Sequence, residues 1–161
     1  MVEKKRISKK VLFSKTIEIL QPLLNLNDWT VVVKYSRRVG TKQLATCEAR
    51  PEYKQAIIRL YIKNLVNLND YDVICTAIHE MCHCLAWPIV EWTEDLCKND
   101  KEKLKVTQRL EEGLVTNLEK ILGGLTGQIL QSKLSEDGYR DVDLVFEKFL
   151  TRFEKQKPKQ K

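Results

Sequence analysis

The sequence predicts an α+β domain: a first helix, a small and mainly antiparallel sheet, then further helices. Three observations lead there. Residues 29–35 and 55–62 are dense in β-branched and aromatic side chains, as strands are. Residues 70–86 and 101–122 carry apolar side chains at helical spacing. The 161 residues suffice for one hydrophobic core and fall short of two comfortable ones.

Ser8 can cap a first helix over 8–20, with Val11, Leu12, Ile17, Ile19 and Leu20 as its apolar surface. Pro22 and the polar residues 25–28 end it. Strands are expected over 29–35, 44–50 and 55–62. Asn69 or Asp70 caps a helix that runs to Ala86 and stops at Trp87-Pro88. Residues 88–100 read as irregular. A second long helix covers 101–122 and ends at Gly123-Gly124. A short helical piece over 125–134 and a turn at Asp137-Gly138 come next. A last amphipathic helix over 142–153 carries Val145, Phe146, Phe149, Leu150 and Phe153. The expected organisation is a basic tail at 1–10, one domain over 11–153 and a second basic tail at 154–161.

Composition narrows the function classes. Hydrophobic residues at 43% and charged residues at 31% suit a soluble globular chain. No apolar run is read as approaching the ~20 residues of a membrane helix, and no signal core comes after the charged start. No membrane partner is therefore expected. The five cysteines, Cys47, Cys75, Cys82, Cys84 and Cys97, are odd in number and fit no framework. They read as free thiols in a reducing compartment, which points to the cytoplasm. The net charge of +6 sits in the tails: residues 1–10 and 151–161 each hold five basic residues against one acidic. No aromatic residue stands in the last eight positions to stack on a base, so nucleic acid is a weakly supported partner.

The chemistry concentrates at His79-Glu80-Met81-Cys82-His83, an H-E-x-x-H motif. On a helix, i and i+4 share a face one turn apart, so both imidazoles can hold one Zn²⁺ ion. Glu80 stands beside that face, able to take a proton from water without occupying a ligand position. Ile74, Ile78, Met81 and Leu85 form one stripe on the other side of the helix, which should bury it. These two histidines are the only ones in the chain. A third ligand must therefore be a carboxylate or a cysteine. Cys82, three residues after His79, would make a closed structural site. The best segment is 109–118 on the next helix, where periodicity favours Glu111, near the centre of an apolar arc.

Here the chain resembles the gluzincins, in which a downstream helix supplies a zinc-binding Glu, often as E-x-x-A-D or E-x-x-A-N. Glu112-Gly113-Leu114-Val115-Thr116 matches loosely, with Thr116 departing from the usual Asp or Asn. The layout over 29–122 is similar to minimal gluzincins and to metallopeptidases encoded by phages and bacteria. The resemblance implies a zincin-like fold, peptide hydrolysis and Glu112 as third ligand, with Glu111 as the alternative. In some relatives it implies cleavage of a regulatory protein.

The expected function is zinc-dependent hydrolysis of a peptide or protein, with Glu80 as general base. The alternative is a zincin-fold regulatory or nucleic-acid-associated binding protein with little turnover. Strand 55–62, if it forms the sheet edge over the cleft, could pair with an extended substrate. Tyr139 and Arg140 are candidates for stabilising an oxyanion.

Overall fold

The computed structural model describes residues 8–38, 42–97 and 100–136. Its main elements are α1 (Lys9–Leu23), β1 (Thr30–Ser36), β2 (Ala45–Arg50), β3 (Gln55–Tyr61), α2 (Asp70–Cys97) and α3 (Lys101–Glu136). Single 3-10 turns at Pro51–Tyr53 and Ile62–Leu65 flank β3. The class is α+β. The expected turn at Asp137-Gly138, the helix over 142–153, and Tyr139 and Arg140 lie outside the described residues, as do residues 1–7 and the C-terminal tail.

Ser8 caps α1, its hydroxyl accepting from the Val11 N–H at 3.4 Å. The helix runs to Leu23, past the expected end at Leu20. The Gln21 side chain ties α1 to the loop leading into β1, donating to the carbonyls of Leu26 and Trp29.

The strand order is β1-β3-β2. β3 pairs antiparallel with β2 and parallel with β1, so the sheet is mixed rather than mainly antiparallel. The cause is topological. β1 leads to β2, which runs back, and β3 then inserts between them in the direction of β1. The turn from β2 to β3 places Lys54 in the left-handed region at φ 49°. The Lys54 carbonyl accepts from the Thr30 N–H at 2.7 Å and starts the β1 register. β3 is thus the central strand and not an edge. β2 is the edge that faces the helices.

α2 is the spine of the core. Val73, Ile74, Ala77, Ile78, Met81 and Cys82 are fully buried. They belong to one cluster with Phe13, Ile17 and Leu20 of α1 and with Ile58 and Leu60 of β3. Helix α2 does not stop at Trp87. It continues through Pro88 to Cys97. A proline inside a helix costs about 3 kcal/mol. Burial of Ala86 before it and Val90 after it favours continuing. α2 also corrects the reading that no apolar run is long enough to cross a membrane. By length and composition it qualifies, and more than half of its most apolar stretch is buried in the protein.

α3 likewise runs straight through Gly123-Gly124 and absorbs the expected short helix over 125–134. Gly123 and Gly127 are buried and share a face with Leu130 and Leu134. A helical glycine costs about 1 kcal/mol relative to alanine. Burial of both leucines offsets the loss. At Gly113 an added Cβ meets nothing within 4 Å. Gly113→Ala is expected to raise stability by about 0.5–1 kcal/mol. A lower urea midpoint for the variant would contradict this.

Candidate metal centre

α2 begins at a reciprocal cap. The Asn69 side chain accepts from the Asp72 N–H at 2.9 Å, and the Asp72 carboxylate accepts from the Asn69 N–H at 3.4 Å. With the stripe of Ile74, Ile78 and Met81 committed to the core, His79 and His83 turn the other way. They enter a cleft of about 1190 Å³ between α2, α3 and the edge strand β2. Residues 43–47 form the strand wall of that cleft. The two rings meet edge to face at 5.1 Å between centroids.

α3 runs back along α2, so each histidine meets two carboxylates. Glu112 faces the Nε2 atoms of both, 3.7 Å from His79 and 4.0 Å from His83. Ligand atoms of His79, His83 and Glu112 all lie within 4.8 Å of one another. A tetrahedral ion with bonds of about 2.0–2.1 Å spaces its ligand atoms about 3.3 Å apart. The Glu112 side chain is 63% exposed and can rotate to close that difference.

The Nδ1 atoms are held from behind. His83 Nδ1 lies 2.9 Å from Glu111 Oε1, and His79 Nδ1 lies 3.2 Å from Glu119 Oε2. The Glu119 contact is the main reason the His79 pKa is raised, against the opposing effect of burial. An Nδ1–H donated to carboxylate fixes the tautomer that leaves Nε2 free to ligate. Glu111 is therefore neither the third member of the cluster nor an idle surface charge. Its side chain is mostly buried and holds a ring.

Glu80 is 4% exposed and points into the cleft wall. Its Oε2 has no hydrogen-bond partner among the described residues. Burial pushes its carboxyl up to about 7, and the nearby histidines oppose that shift. A buried oxygen without a partner is costly unless something else meets it.

Cys82 is not in the cluster. It is fully buried, and burial pushes its thiol up to about 12, far from thiolate at neutral pH. Cys84 packs against Cys47 of β2, with the sulfurs 3.7 Å apart. That contact, with burial, raises the Cys47 pKa.

Glu119 is a residue that the sequence reading misses. One signal for it exists: it stands two turns after Glu112 on the same helix face. No family model matches this chain, and no curated protein or solved structure is significantly similar to it.

Glu119→Ala is expected to weaken Zn²⁺ binding about 10–100-fold by freeing the His79 ring. Competition with a chelating dye measures this. Unchanged affinity would show that the 3.2 Å contact orients nothing.

Proposed function

We propose that this chain is a zinc-dependent peptide hydrolase on a gluzincin-like, zincin-type plan. The observation that carries the reading is the convergence of His79, His83 and Glu112 beside the unpartnered Glu80 oxygen. Two imidazoles and one carboxylate suit zinc and leave a fourth position open. When bound, zinc supplies Lewis acidity, polarising a carbonyl and lowering the pKa of water. His79 and His83 present Nε2, with Glu119 and Glu111 keeping the rings in place. Glu80 takes the proton of the attacking water and passes it to the leaving amine. Among the described residues β2 pairs only with β3, so its other edge can accept an extended substrate backbone along the cleft.

Elemental analysis tests the metal part. Protein purified without added zinc is expected to carry about one zinc per chain, and His83→Ala to carry far less. Equal content in both would sink the proposal. Cleavage of a peptide library by the zinc-loaded protein, absent in the zinc-free protein, tests the hydrolysis.

A further inference from the structure

The α3 wall of the cleft is graded in charge. Lys105, Arg109, Glu112 and Glu119 recur at spacings of four, three and seven, so they share one helix face. All four line the cleft. Asp72 lies two turns before His79, at the Glu119 end. At the opposite end the α2 wall is Trp87 and the strand wall is neutral. Beyond Glu111 and Glu112, no acidic side chain among the described residues lines that end. Glu111 is taken by His83. Lys105 is paired with Glu102 of its own helix at 2.9 Å. Arg109 makes no ion pair among the described residues.

We infer that Arg109, with Lys105 behind it and Trp87 opposite, forms a carboxylate-binding subsite that selects the substrate. This deepens the reading of the cleft as a peptide site and rests on it. Arg109 stands one turn and Lys105 two turns before Glu112, about 4.5 and 10.5 Å along the axis. An extended peptide rises about 3.3 Å per residue. The selected carboxylate therefore lies one to three residues from the scissile bond, on the Trp87 side. A guanidinium offers paired donors that match a carboxylate. The carboxylate comes either from an Asp or Glu side chain or from a free C-terminus. Glu119, like Glu111, is taken by a histidine, so at the far end it is Asp72 that repels the same group and fixes the direction in which a substrate lies.

The test is binding to zinc-loaded Glu80→Gln protein, read by fluorescence anisotropy. The probes are N-terminally labelled nonapeptides of Ala, Ser and Leu. One set is amidated with a single Glu walked along the chain, one has a free C-terminus and no Glu, and the controls are amidated with Ala or Lys. The expected result is affinity about tenfold above the Ala control for one of the first two sets. The set that gains identifies the source of the carboxylate. Arg109→Glu is expected to abolish that gain and favour the Lys peptide, with zinc content unchanged. Equal affinity across all sets, no binding by any, or a gain that survives Arg109→Glu would overturn the subsite. Carboxylate-selective binding without turnover by the wild type would support the subsite and sink the hydrolytic reading alone.

Discussion

Glu80→Gln is expected to keep zinc and fold while losing about 10²- to 10⁴-fold in hydrolysis. Gln is nearly isosteric with Glu and cannot accept a proton. Glu80 lies outside the cluster formed by His79, His83 and Glu112, so metal content should not change. The zinc-free protein offers a second readout. Burial raises the Glu80 carboxyl to about 7 from the ordinary 4.5. Between those values the folded state holds a proton that the unfolded state has released. Stability contributed by this group is therefore lost as pH rises through that window, and the loss is complete above it. Gln has no such dependence. The zinc-free variant is expected to melt higher than zinc-free wild type at pH 8, with the gap closing toward pH 4. A gap of the same size at both pH values would show that Glu80 is not ionising in a buried site. Undiminished cleavage by the variant would remove Glu80 from the mechanism.

Glu112→Ala is expected to have the larger effect on zinc affinity, and Glu111→Ala the smaller but real one. Glu112 lies nearest both Nε2 atoms, so its loss removes one of the three proposed ligands. Glu111 touches only His83 Nδ1, at 2.9 Å. Losing such a partner costs about 10–100-fold. Glu112→Ala should exceed that range. With Glu112 taken as the ligand on the gluzincin-like pattern, against the periodicity that favours Glu111, the sequence predicts little effect of Glu111→Ala, because adjacent helix residues point about 100° apart and only one of the two can reach the metal. The geometry gives both a role because His83 lies between them, with one ring edge toward each. Isothermal titration of both variants, with Glu111→Gln as a conservative control, separates the cases. A larger loss for Glu111→Ala than for Glu112→Ala would reverse the assignment.

Much of this protein is legible in its sequence. The strands expected over 29–35, 44–50 and 55–62 fall within a residue of where they occur, because their composition suits a half-buried sheet and nothing competes with it. His79, Glu80 and His83 are legible because helical spacing alone puts them on neighbouring faces. The core-facing side of α2 is legible for the same reason. Helix ends are not. Pro88 and Gly123-Gly124 are strong local stop signals, worth about 3 and 1 kcal/mol per residue. They are outweighed by burial of Val90, Leu130 and Leu134, which depends on what those side chains meet. The insertion of β3 between its neighbours, which leaves β2 at the cleft, is a long-range choice that no local pattern encodes. The division of labour among Glu111, Glu112 and Glu119 is of the same kind. Periodicity says which way each carboxylate leaves α3. Only the packing of α3 back along α2 decides which imidazole atom, Nδ1 or Nε2, it meets.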